Sequence, residues 1–118
     1  VYMTNTQQPG FNITNGRGFC VTLSNGVSVS VQFGRMNYCN NYDLSDERMM
    51  LRQNSVVQYL SQNTCENAEV ALWNSEDAWI TKECWKQVFD RDLYDDVVGC
   101  VKPDDVVLVL QWAQCQPA

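Results

Sequence analysis

The segment SNGVSVSVQFG, residues 24–34, decides how this chain folds. Upstream, Phe19, Val21 and Leu23 alternate with Cys20, Thr22 and Ser24; within it, Val27, Val29, Val31 and Phe33 alternate with Ser28, Ser30 and Gln32. Period-two alternation marks a half-buried strand, so both flanks read as strands with one apolar face. Asn25-Gly26 suggests a two-residue hairpin turn. That register sets Ser24 opposite Val27 and Leu23 opposite Ser28, which sends the two apolar faces to opposite sides of the ribbon. A three-residue loop, Ser24-Asn25-Gly26, pairs Leu23 with Val27, Val21 with Val29 and Phe19 with Val31 instead. Every apolar pair then shares one face, and Gly26 takes the left-handed conformation of a G1 bulge.

Working outward, residues 34–43 (GRMNYCNNYD) form a polar, aromatic and amide-rich loop. Residues 45–63 read as helix: Ser45 is an N-cap, Asp46 and Glu47 suit the positive end of the dipole, and Met49, Val56, Val57 and Leu60 share a face. Asn54-Ser55 is a candidate break. Residues 67–83 (NAEVALWNSEDAWITKE) predict a second hairpin, with Trp73 and Trp79 paired across it if the loop is Ser75-Glu76-Asp77. A short amphipathic turn of helix, an acidic loop and a brief strand at 97–101 follow. The last segment, KPDDVVLVLQWAQCQ, has Pro103 at a first helical position and Asp104 and Asp105 in the first turn, predicting a helix over 103–114. The rival is a buried strand, since VVLVL is continuously apolar; the complete start signal favours helix. The expected fold is α+β: an antiparallel sheet of two hairpins, a C-terminal helix on one face and a helical insertion between hairpins. The 118 residues suit one domain, with residues 1–14 as a flexible N-terminal arm.

Formal charge is −6, unevenly spread: residues 1–42 hold 2 of the 8 basic residues, Arg17 and Arg35, and none of the 14 acidic ones. That balance argues against direct nucleic-acid binding, which needs clustered Lys and Arg. No apolar run is long enough to span a membrane, and the N-terminal residues lack the pattern of a secretory signal, so a cytoplasmic setting is expected. Six cysteines, at spacings of 19, 26, 19, 16 and 15, include no close pair. Free, mostly buried thiols are favoured over three disulfides. With no knuckle spacing and no histidine, no metal site is expected, and no cofactor.

The absence of histidine also removes the usual Ser/His and Cys/His nucleophile pairs. Asp90, Asp92, Asp95 and Asp96 could split their pKa values if buried together, but such a cluster is more often a solvated loop. The expectation is therefore a protein that is not an enzyme. As a binding module, its best candidate site is the loop after the second strand. Asn37, Tyr38, Asn40, Asn41 and Tyr42 offer amides beside aromatic rings, with Arg17 and Arg35 as candidate phosphate contacts. The alternative, slightly favoured for the loop itself, is a structural role, because Asn suits turns and Cys39 and a tyrosine can plug the core. Trp73, Trp79 and Trp85 are candidate interface residues, although most tryptophans in a small domain serve its core.

Four stretches in order, GRGFCVTLSNGVSVSVQFG (16–34), NYCNNY (37–42), NAEVALWNSEDAWI (67–80) and DVVGCVKPDDVVLVLQWAQ (96–114), resemble a family of small uncharacterised proteins encoded by bacteriophages and prophages. In that pattern a glycine often precedes Asn-Tyr-Cys, where this chain has Met36, and Ser or Thr often stands in place of Lys102. The resemblance implies a phage accessory protein in the cytoplasm of an infected bacterium. The expected function is binding of a host or anti-phage defence protein, as an inhibitor of counter-defence type. The alternatives are a binder that sequesters a nucleotide-like small molecule and a minor structural phage protein. A homo-oligomer is compatible with each.

Overall fold

The computed structural model describes residues 8–14, 17–34, 36–41 and 64–118. The helix expected over 45–63, and with it Arg35 and Tyr42, lies outside the described residues. The strands are β1 (Gly10–Thr14), β2 (Gly18–Thr22), β3 (Ser28–Gln32), β4 (Ala68–Trp73) and β5 (Val98–Val101). The helices are α1 (Thr81–Phe89) and α2 (Pro103–Gln114). The strands form one sheet in the order β1-β2-β3-β4-β5, each neighbouring pair antiparallel. The fold is α+β, with the C-terminal helix at the expected residues.

The three-residue loop is observed. Val21 pairs with Val29 and Phe19 with Val31. Leu23 receives the Gly26 N–H at 2.9 Å and donates its own to Val27 at 2.8 Å, while Gly26 sits at φ +86. The apolar face so created packs under both helices. Val27, Val29, Val31, Val70 and Leu72 are buried with Cys84 and Trp85 of α1 and Val109 and Ala113 of α2. In α1, Thr81, Cys84, Trp85, Val88 and Phe89 recur at helical spacing and face this core. The Thr81 hydroxyl lies at 2.9 Å from the Leu72 N–H and 3.3 Å from the Leu72 carbonyl, tying the start of α1 to β4.

Two expectations change. Residues 10–14, assigned to an arm, form β1 against β2. Their pairing depends on Phe11 and Ile13 meeting Val21 and Phe19 across the strands, a register that GFNIT does not reveal in isolation. The second hairpin has only one full strand. Its loop is the expected one, with Asn74 N–H bonded to the Ala78 carbonyl at 2.9 Å and Trp73 bridged to Trp79, their rings 5.1 Å apart. The return then ends at Ile80, and Thr81 begins α1. The acidic loop is solvated: Asp90, Asp92 and Asp95 are exposed, and Lys86 pairs with Asp90 and Asp92 at 3.2 and 3.6 Å. Pairs this exposed add little stability. Among the described residues, no helix is long and apolar enough to cross a membrane.

Candidate functional site: the helix-free face of the sheet

Alternation sends the other half of each strand to the face away from the helices. Register arranges these side chains in rows. Asn12, Cys20, Ser30 and Ala71 are paired in sequence across four strands, and a neighbouring row holds Thr14, Gly18, Gln32 and Glu69. A third runs from Gly10 through Thr22 and Ser28 to Trp73. The middle row is small at Cys20, Ser30 and Ala71, while its neighbours carry Gln32, Glu69 and Trp73. Short side chains between long ones leave a hollow.

That hollow is an open cavity of about 240 Å³ lined by Thr14, Arg17, Cys20, Ser30, Gln32, Asn37, Glu69, Ala71, Trp73 and Val97. Its two ends differ. Trp73 and Val97, packed with Cys20 and Ala71, make one end apolar. Arg17, Gln32, Asn37 and Glu69 make the other polar and charged. Glu69 and Trp73 stand four residues apart on β4, about 13 Å along a strand.

Local chemistry holds each polar group in place. Arg17 is fixed through its backbone, which donates to the Thr14 carbonyl at 2.5 Å and accepts from Phe33 at 2.6 Å. Its stem crosses Gly34, where an added Cβ would come within 2.4 Å of Arg17 Cγ. Among the described residues no carboxylate pairs with its guanidinium, and the side chain is exposed. Glu69 accepts the Tyr38 N–H at 2.8 Å and the Asn37 amide at 3.5 Å. Gln32 Nε2 donates to the Phe19 carbonyl at 3.1 Å and lies 3.2 Å from Ser30 Oγ. Burial pushes the Cys20 thiol in the floor up to about 11, so it is neutral at pH 7.

The structure separates the residues nominated from sequence. Arg17, Asn37 and Trp73 line the cavity. Asn40 and Asn41 do not; they fasten the loop. Asn40 exchanges hydrogen bonds with Asn67 at 2.8 and 3.2 Å and reaches Glu66 at 3.2 Å. Asn41 donates to the Phe33 and Thr64 carbonyls, each at 3.0 Å. Asn37 also has a bracing role, since its Oδ1 accepts the Gly34 N–H at 3.1 Å. Cys39 is buried, as the structural reading of this loop expects, and Tyr38 is exposed. Of the three tryptophans assigned to an interface, Trp85 is 2% exposed in the main core and Trp73 is buried in the smaller cluster. Trp79 alone of these presents surface, at 40%. Sequence reasoning missed Cys20, Ser30, Gln32, Glu69, Ala71 and Val97. The alternating small polar residues of β2 and β3 marked this face, but only strand order brings β4 beside it.

Comparison with protein-family models, with curated proteins and with solved structures finds no match to this chain.

Proposed function

We propose that the chain binds a small nucleotide-like molecule in the cavity on its helix-free sheet face, with no chemical conversion of it. The observation that carries this reading is the polarity of the cavity: Arg17, a cation without a carboxylate partner among the described residues, stands opposite an apolar end made by Trp73 and Val97. A molecule with a ring at one end and a phosphate at the other matches that arrangement. Arg17 takes the phosphate, where a guanidinium can bond in bidentate fashion. Ser30, Gln32 and Glu69 offer donors and acceptors for sugar or ring substituents between the ends. In the phage setting that the sequence resemblance implies, such binding sequesters a nucleotide signal from the host.

The test is mass spectrometry of small molecules released on heating the purified protein, followed by calorimetric titration with nucleoside monophosphates. Arg17→Ala should weaken binding at least ~10-fold, as loss of one charge-assisted hydrogen-bonding group does. Ala71→Leu should fill the floor and abolish binding while the fold is retained by circular dichroism. If both variants bind as the unmodified chain does, the cavity is not the site.

A second reading rests on a different observation. Phe11 and Ile13, 76% and 86% exposed, stand two residues apart on the edge strand β1. Side chains of this kind suit a protein partner, as an inhibitor of a host or defence protein requires. Capture of one specific host protein that is lost on Phe11→Ser with Ile13→Ser would favour this reading over the first.

A further inference from the structure

Away from the cavity, three of the six cysteines converge where residues 36–41 are clamped between the approach to β4 and the edge strand β5. On the first side, the Asn40 N–H donates to Asn67 Oδ1 at 2.8 Å, and the Asn41 amide reaches the Thr64 carbonyl at 3.0 Å. The Cys65 thiol lies 4.0 Å from the same Asn67 Oδ1. On the second side, the Cys100 N–H donates to the Tyr38 carbonyl at 2.8 Å. Cys39 is thus one residue away from each clamp. It is buried, with its thiol 3.5 Å from the Gly34 carbonyl, whereas Cys65 is half-buried and Cys100 exposed. Burial, more than the neighbouring Cys65 and Cys100 thiols, pushes the Cys39 thiol up to about 11, against a lowering bond from the Asn41 backbone. The Cys65 and Cys100 thiols both add to that rise. No group of three His, Cys, Asp or Glu among the described residues is arranged to hold a metal ion.

We propose that Cys39 and Cys65 form a peroxide-responsive dithiol, in which half-buried Cys65 reacts first and buried Cys39 closes a disulfide onto it. The Cys65 thiolate attacks one oxygen of hydrogen peroxide; an S–O bond forms, the O–O bond breaks, and the departing hydroxide takes a proton to become water. The Cys39 thiol, neutral at pH 7, then attacks the Cys65 sulfur; the S–S bond forms, the S–O bond breaks, and the departing hydroxide takes the Cys39 proton and leaves as water. In sum, two thiols and one hydrogen peroxide give one disulfide and two waters, with both sulfurs oxidised and peroxide reduced. The ordering follows from access: peroxide reaches Cys65 from solvent, and Cys39 is shielded from it by burial. The paired hydrogen bonds of Asn40 and Asn67 hold the two cysteine-bearing segments against each other. The bridge spans 26 positions of chain, so it restricts the unfolded state and raises the melting temperature.

The experiment uses the whole chain, exposed to hydrogen peroxide, alkylated with iodoacetamide and digested with trypsin without reduction. Cleavage after Arg35, Arg48, Arg52 and Lys82 places Cys39 and Cys65 on separate peptides, 36–48 and 53–82. The expected result is these two peptides joined, two hydrogens lighter than their sum, in the monomer fraction. The same link should form in Cys100→Ser and be lost in Cys65→Ser. Recovery of both cysteines alkylated, a Cys39–Cys100 link in place of Cys39–Cys65, or a link confined to dimers would each overturn the proposal. The peptide map of the unmodified chain decides the matter even if a variant fails to fold.

Discussion

Asn25, at the tip of the β2–β3 loop, donates its side-chain amide to the carbonyl of Ala113, 88 residues away, at 2.8 Å. The same amide reaches the Gln116 carbonyl at 2.8 Å, and Asn25 Oδ1 accepts the Val27 N–H at 3.1 Å. One side chain therefore closes a turn and pins it to carbonyls at and just beyond the end of α2, where Ala113 also accepts the Gln116 N–H at 3.2 Å. Asn25→Ala should lower stability by about 1–3 kcal/mol, the loss of its hydrogen bonds to Ala113, Gln116 and Val27 together. Asn25→Asp should be worse than alanine, because its carboxylate faces carbonyls at the negative end of the helix. Urea denaturation of the two variants checks the order; an aspartate variant more stable than the alanine one contradicts it.

Gly26 sits at φ +86, and a Cβ there would come within 2.5 Å of Ser75 Cβ in the β4 loop. Gly26→Ala combines left-handed strain with a contact that forces one loop to move. A loss of about 1–3 kcal/mol is expected. An unchanged thermal melt would remove the support for the bulged loop as a constraint on folding.

Met36 occupies the left-handed region, φ 73, and is exposed. Non-glycine residues carry about 1–2 kcal/mol of strain there, and glycine adds about 0.5–1 kcal/mol of unfolded-state entropy. Met36→Gly should thus leave stability unchanged or raise it by up to about 1.5 kcal/mol. A lower urea midpoint would mean that the methionine side chain has a contact of its own to lose.

Burial raises the thiols of Cys20 to about 11 and of Cys84 to about 12, from an ordinary value of 9.0. The folded chain keeps these thiols neutral while the unfolded chain ionises them first. Their contribution is fully present below pH 9 and is lost as pH rises from about 9 through 11 to 12. The melting temperature should fall across that window, and less steeply in Cys20→Ala. Equal slopes in the two proteins would assign the loss to other groups.

The hairpin register, the Trp73 and Trp79 pairing and the limits of α2 were legible because each rests on neighbours in sequence. Alternation, loop length and a Pro-Asp-Asp start are local patterns whose physics acts over a few residues. The helix α1 was legible only in part: Ile80 reads as a returning strand until Thr81 is seen bonded to Leu72 across the turn. The strand β1 was not legible at all, since its two apolar residues gain their meaning from Val21 and Phe19 opposite them.

The candidate site shows the same division. Arg17, Asn37 and Trp73 were nominated from the sequence by type, as a cation, an amide and a ring. Asn40 and Asn41 were nominated on the same ground, yet they brace backbone, because nothing in composition tells a free amide from an occupied one. Periodicity and turn chemistry, which act over a few neighbouring residues, set which face of β2, β3 and β4 is apolar, how the first hairpin closes and where the last helix begins. That β4 lies beside β3 follows from packing over long sequence distances. That placement sets Ala71 next to Ser30 and Cys20, hollows the opposite face and brings Arg17 within one cavity with Trp73, because strand order is settled by packing among distant residues.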